Sequence, residues 1–256
     1  MLKIFKYKEL LIELVKREIK ARYKQSILGY AWVLLVPLLN LTVMSIVFSY
    51  FIRIPTGDTP YVIFLFTGLV PWMFTANAIA FATSSLVDNS SLITKIKLPT
   101  EIFPLASILS KMVDFLLTLI IFFLFIFIYR IPLQLTILFL PLVFLIQFIL
   151  VVGISLVLSA INVYYRDVQN MIGVFITLWM YLTPVIYPQE LIPQTFIPIF
   201  NLNPMMPIIN AYRNIILYGV TPSWQSFIYS VVLSIIIFIF GYSFFKRRSR
   251  YFADVI

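Results

Sequence analysis

The sequence predicts an all-α integral membrane protein with six transmembrane helices. An N-terminal amphipathic helix lies in the interface, and a re-entrant helix pair sits between spans five and six. Three observations carry this. Of 256 residues, 62% are hydrophobic and only 11% charged, with a mean hydropathy of +1.02. Soluble domains carry about 25% charged residues, so lipid must serve as part of the solvent. Apolar segments of spanning length recur, and the basic residues cluster between them on one side.

Residues 4–24 have helical period. Tyr7, Leu11, Val15, Ile19 and Tyr23 form one stripe, and Lys6, Glu9, Glu13, Lys16, Arg17, Lys20 and Lys24 another. Glu13 with Arg17 and Glu18 with Arg22 are spaced as i,i+4 ion pairs. An apolar stripe opposite a basic one describes a helix flat on the inner leaflet, and Gly29 lets the chain turn into the bilayer. The late apolar run and mixed charge do not read as a cleavable signal peptide. The spans are 31–52, 61–82, 103–129, 133–161, 171–187 and 227–245, against about 20 residues needed to cross. Prolines 37, 71 and 141 fall inside them, where neighbouring helices satisfy freed carbonyls.

With six spans, sixteen of the nineteen Lys and Arg share one side, leaving only Arg53, Arg130 and Arg213 opposite. The positive-inside rule then places both termini of this multi-pass membrane protein in the cytoplasm. The net charge of +9 reads as topology, and no nucleic-acid partner is expected.

The polar stretch DNSSLITKIKLPT after span two suits a brief helix, capped by Asp88 or Ser90 and stopped by Pro99. Its length beyond a tight turn suggests a docking surface, for which Asn89, Leu92, Ile93, Lys95 and Lys97 are candidates. The alternative is a solvated loop obeying the charge rule. Lys111 and Asp114 share a helix face and read as a structural ion pair. Asp167 suits the cap of the incoming fifth helix, and Arg166 suits lipid phosphate or a partner. Residues 184–207 hold six of the fifteen prolines, so they cannot form one spanning helix, yet they are apolar. Broken apolar backbone at membrane depth must be buried in protein or line a cavity, which gives the re-entrant pair, with a loop lying on the leaflet as the alternative. Aromatic residues make up 17% of the chain. Tyr30, Trp32, Phe175, Trp179 and Tyr181 are candidate channel lining, with lipid packing or an interfacial belt as the alternative.

Cysteine and histidine are both absent, which removes thiol, triad and most zinc chemistry. The ten acidic residues are spread singly, so no catalytic or metal site is expected. None of the seven glycines fits the spacing of a phosphate-binding loop. No cofactor is expected in this chain, and ATP-driven work would need another polypeptide. Few mid-span ionisable groups and no inverted repeat disfavour an ion-coupled carrier.

The segments RYKQSILGYAWVLLVPL (22–38), FLFTGLVPWMF (64–74), SLVDNSSLITKIKLPTEIFPL (85–105), YYRDVQN (164–170), TPVIYP (183–188) and LNPMMPIINAYRNIIL (202–217) occur in order along the chain. Together they resemble the type-2 ABC-exporter permeases of cell-surface polysaccharides, such as those for O-antigen and teichoic acid. The resemblance implies a single permease domain over 1–256. Residues 1–28 would be the interfacial helix, 29–187 spans one to five, 188–222 an external re-entrant segment, and 223–256 span six with its tail. It implies a homodimer in the bacterial inner membrane, bound to two separate ATP-binding subunits that carry ATP and Mg, and a polyprenyl-diphosphate-linked polysaccharide as substrate. The 88–98 loop would be the coupling helix. The proline-rich segment would be an external gate, for which Pro193, Phe196, Phe200 and Pro204 are candidates. Arg17, Lys20, Arg22, Lys24 and Arg166 are candidates for the lipid diphosphate or the interface. An exporter of drugs or small lipids, or a non-transporting membrane scaffold, are the other readings.

Overall fold

The computed structural model describes residues 7–23, 26, 28–95 and 98–255. Among them every regular element is helical. The order is α1 (Lys8–Tyr23), α2 (Trp32–Ile46), α3 (Tyr61–Asp88), α4 (Ser90–Lys95), α5 (Ile102–Ile128), α6 (Leu140–Tyr164), α7 (Asp167–Tyr181), α8 (Ile197–Asn201), α9 (Met205–Ile216), α10 (Trp224–Arg248) and α11 (Phe252–Val255). A 3₁₀ turn at Gly29–Ala31 leads into α2, and a π turn at Val47–Phe51 ends it. Gly29 has φ +50, a left-handed conformation that suits glycine, so the expected turn forms there.

Five helical stretches are long and apolar enough to cross a membrane: Gly29–Phe51, Tyr61–Asp88, Ile102–Ile128, Leu135–Tyr164 and Trp224–Arg248. The protein is therefore a multi-pass membrane protein. The expected fifth span, 171–187, is not one of them. Its helix, α7, has 15 residues and stops at Tyr181. The chain nevertheless continues from Asn162, beside the start of α7, to Ile186, whose carbonyl accepts from Tyr61 at the start of α3. Residues 167–186 thus run the length of the bundle as a short helix followed by unwound chain.

α3 is the central post. Twenty of its 28 residues are buried, including Phe64, Phe66, Trp72 and Phe74. Around it pack α5, α6, α2, α7 and α9. The helices meet through aromatic contacts, such as Phe66 edge-on to Phe122 at 5.3 Å and Phe115 stacked on Phe144 at 5.0 Å. α6 and α10 approach at Gly153 and Gly241, where a Cβ on Gly241 would lie 2.3 Å from the Gly153 carbonyl oxygen. Small residues permit this backbone contact, as is usual between membrane helices. Proline placement differs in one respect from expectation. Pro37 and Pro71 are inside helices, but Pro141 lies in the first turn of α6, after a 3₁₀ turn at Leu135–Phe139. Its missing N–H costs nothing there.

One end of the bundle collects α1, α4, the start of α5, the end of α10 and α11. Glu101 pairs with Lys246 at 2.7 Å, and α11 packs on α4 and α6. The N-terminal and C-terminal helices therefore share an end. At the opposite end the chain forms a hairpin. It descends from Gln189 through α8, turns at 202–204, and returns along α9 to Leu217. The turn reaches Trp179 and Ser230, and Met205 at the start of α9 reaches Thr75. Thr75 is 14 residues into α3, about 21 Å from its start.

Candidate functional site

Three places gather the residues that matter: the α1–α5 junction, the α4 end, and the hairpin with the unwound chain after α7. In α1 the docked face centres on Leu14, Glu18 and Arg22, and Tyr7, Leu11 and Val15 of the expected stripe also pack against the core. Glu18 accepts from the hydroxyls of Ser107 (2.7 Å) and Ser110 (3.1 Å). Arg22 donates to Asp114 and, at 2.9 Å, to Ser110. Lys111 stands 3.4 Å from Asp114 and 3.6 Å from the Phe81 ring centre, with Arg22 at 5.4 Å from the same ring. The expected Lys111–Asp114 pair is present, and Arg22 joins it. Arg22 sits at the height of Asp114, 12 residues into α5 and about 18 Å from its start. The end of α1 thus runs beside α5. The local pairing also differs from expectation. Glu13 pairs with Lys16 at 2.7 Å, and Arg17 donates to the Asn89 side chain. Burial pushes the Glu18 carboxyl above the ordinary carboxylate range, against the two serine hydrogen bonds and the nearby Arg22 and Arg17. Cavities of about 270 Å³ and 360 Å³ flank this junction, the first lined by Trp32 and Asn77, the second by Arg17 and Asp88.

Of the residues expected to couple to an ATPase, Asn89 and Ile93 face inward. Asn89 is 7% exposed, donates to the Ser85 carbonyl at 2.8 Å and accepts from Arg17. It joins α1 to the α3–α4 corner and is not itself a docking surface. Ile93 is 6% exposed and belongs to the core. Leu92 is half-buried and Lys95 exposed, while Lys97 lies outside the described residues. Neither Asp88 nor Ser90 caps α4: the Asn89 carbonyl takes the first N–H groups, from Leu92 and Ile93, and Asp88 accepts from Ser84. At the start of α7, Asp167 sits in the first turn and Asn162 of α6 supplies the cap, accepting from the Gln169 N–H at 3.1 Å. Lys20 and Arg166 are exposed at this same end, and Lys24 lies outside the described residues.

The candidate channel aromatics fall in two groups. Tyr30 and Trp32 are exposed at the start of α2. Phe175 and Trp179 stand one turn apart on α7, with ring centres 6.0 Å apart. Both line an apolar cleft of about 600 Å³ with Phe200, Pro204, Ile237 and Phe240. The structure thus brings two of the candidate lining residues against two of the candidate gate residues. Tyr181 is exposed elsewhere on α7, and Pro193 and Phe196 are exposed on the descending limb of the hairpin.

The unwound chain after α7 was legible only as a proline-rich break. Backbone polar groups away from water need partners, and the carbonyls from 179 to 186 all find one. Trp179 O accepts from Thr183 Oγ1, Met180 O from the Thr183 N–H, and Tyr181 O from the Tyr187 hydroxyl. Leu182 O accepts from Asn203 at 2.9 Å, and Thr183 O from the Val185 N–H. Pro184 O and Val185 O accept from the two Arg213 terminal nitrogens at 2.6 and 2.7 Å. Ile186 O accepts from Tyr61 at 2.8 Å. Arg213, 3% exposed, also lies 3.7 Å over the Phe64 ring. In the sequence Arg213 reads as a charge on the outer side. Its available signal was a lone arginine among apolar residues, which membrane proteins keep for a specific partner. Gln147 gives the same faint signal, a lone polar residue in an apolar run. Buried in mid-α6, it donates to Pro71 O and Thr75 Oγ1 and accepts from Tyr212, joining α3, α6 and α9.

Among the described residues no group of three or more His, Cys, Asp or Glu could hold a metal. The family model described as ABC-2 type transporter matches residues 9–217. The chain is 31% identical over 256 residues to the O-antigen export system permease protein RfbA of Myxococcus xanthus, covering 99% of this chain and 97% of that protein. It is 29% identical over 249 residues to the protein of the same name from Klebsiella pneumoniae, covering 97% and 95%. The polysialic acid transport protein KpsM of Escherichia coli is 20% identical over 235 residues, covering 91% of each.

Proposed function

The chain belongs to the ABC-2 type transporter family, and from that premise we propose that it is the membrane-spanning permease subunit of an ATP-driven exporter of O-antigen-type polysaccharide. The observation that carries this is the 31% identity, over nearly the full length, to a permease named for O-antigen export. The more distant relative named for polysialic acid transport supports the broader class, a cell-surface polysaccharide. The cargo is carried on a polyprenyl diphosphate. ATP and Mg are bound by a separate ATPase, two copies of which serve a permease homodimer in the bacterial inner membrane.

Six crossings with both termini cytoplasmic fit the shared end of α1 and α11 and the through-bundle course of 167–186. The cytoplasmic end then presents Leu92 and Lys95 of α4 to the ATPase. The exposed apolar faces of α2 (Val36, Leu39, Val43) and α7 (Val174, Phe175, Leu178) face the second protomer across the path. Arg17, Lys20, Arg22, Lys24 and Arg166 meet lipid diphosphate at the entrance, where guanidinium and ammonium donors suit phosphate oxygens. The 188–222 segment closes the outer end. A strain lacking this chain should lose surface polysaccharide and accumulate the lipid-linked polymer inside. Restored surface display on re-expression supports the reading, and unchanged display in the deletion strain overturns it.

A further inference from the structure

We propose that Arg213 and Asn203 are positioning residues for α7: they fix its outer end to the hairpin, and α7 swings about that fixed point while its Asp167 end moves. The inference rests on the permease reading for its motion, but its geometry stands on the fold alone.

Within one protomer α7 is held by few side chains. Of its 15 residues only Ile172 is buried, with Ile176, Trp179 and Met180 packed partly against the core. α9, by contrast, buries ten of twelve, against α3, α6 and α10. Sparse burial marks an element that opens at low cost, and dense burial one that stays. At the Asp167 end the tie is a single described hydrogen bond, from the Gln169 N–H to Asn162, after an extended Tyr165. The far end is tied differently. Asn203, at the turn of the hairpin, donates to Leu182 O and to Thr183 Oγ1 (2.8 Å), and accepts from the Trp179 indole N–H at 2.9 Å. Arg213 takes the next two free carbonyls along, those of Pro184 and Val185. None of the described ion pairs includes Arg213. A buried cation is costly unless its donors are satisfied, and here the unwound chain satisfies two of them. Removing either partner therefore strands the other.

Gly68 is independent support. A Cβ at this position would lie 2.9 Å from Arg213 Nη2 and 3.0 Å from Val185 O. A side chain at 68 would intrude on the very hydrogen bond that fastens α7, so glycine keeps α3 clear of it. Lysine could not replace Arg213, because two parallel donors in one plane, stacked on Phe64, require the guanidinium fork.

The test uses the full complex in membrane vesicles, since the chain has no cysteine of its own. Val185→Cys, 0% exposed, reads whether the anchor is closed through its reaction with a small maleimide, with no exported polymer needed. Adding Arg213→Lys should speed labelling about tenfold or more, as expected when a local opening loses its principal tie. Unchanged labelling overturns the anchor. Two bridged pairs then read the motion. Thr183→Cys with Asn203→Cys should export poorly, and a short bis-thiosulfonate bridge should restore export. Asn162→Cys with Gln169→Cys should export normally until bridged, then stop. A bridge at 183–203 that fails to restore export, or one at 162–169 that leaves it unchanged, overturns the swing. Loss of maleimide protection with no exported polymer in any variant would leave the anchor standing and count against the cargo.

Discussion

At the scale of single residues, the α1–α5 junction stands on charge placed where charge is expensive. Asp114 compensates both Arg22 and Lys111, and their side chains are 21%, 18% and 7% exposed. Breaking a buried pair by removing one partner costs about 3–5 kcal/mol. Asp114→Ala should therefore lower the thermal midpoint of the purified protein, and adding Lys111→Met should recover part of the loss. Equal midpoints for wild type and Asp114→Ala would show that the cluster contributes nothing. Glu18 makes a pH prediction. Its folded pKa is raised by burial, so the docked state is favoured while the carboxyl is protonated. That advantage is lost as pH rises from the ordinary carboxylate value through the raised one. Glu18→Gln cannot ionise and keeps an oxygen for a serine hydroxyl. Its stability relative to wild type should rise across that window and then level off, as followed by thermal unfolding against pH.

At the scale of elements, glycine separates contact from freedom. A Cβ on Gly153 would lie 2.7 Å from the Phe238 Cα, whereas one on Gly173 in α7 meets nothing within 4 Å. Gly153→Ala should force α6 and α10 apart and cost about 1–3 kcal/mol, the usual range for overpacking. Gly173→Ala should be neutral or stabilising by up to about 1 kcal/mol, because alanine is the better helix former. Thermal midpoints in one detergent compare the two directly. The same contrast explains what the sequence showed of α7. Its length deficit was visible as a short apolar segment before six clustered prolines. Where the helix would stop was only partly visible: Pro184 has no N–H for another turn, but the partners of the freed carbonyls, Tyr187, Asn203 and Arg213, come from further along the chain.

At the scale of the whole molecule, the predictions concern sidedness and coupling. Single cysteines placed at exposed Glu190 and exposed Asp254 should label with an impermeant maleimide from outside only at 190. Labelling at 254 with protection at 190 would invert the orientation. Lys95→Glu with Lys97→Glu should leave the chain inserted but prevent co-purification of the ATPase. Normal co-purification and export would remove α4 from the coupling path. Arg22→Ala with Lys24→Ala should lower export more than Lys3→Ala with Lys6→Ala at matched membrane levels. The structure supplies a reason, since Arg22 is built into the α5 junction.

The amino-acid sequence alone determined the solvent, five of the six expected spans and the grouping of charge. Each follows from transfer free energies that depend on composition and spacing within a local window: 11% charged residues, apolar runs of spanning length, and basic residues between them. The Lys111–Asp114 pair and the turn at Gly29 were legible for the same reason, since helical spacing and a glycine's left-handed φ are local properties. Tertiary structure decided which residues meet across long separations. Arg22 finds Asp114 at a separation of 92 residues, Tyr61 finds Ile186 at 125, and Asn89 turns inward to Arg17. No local window contains both members of such a pair. What selects them is that a polar group in a lipid-surrounded bundle has no water to fall back on, so its partner is whichever complementary group the packing brings within reach.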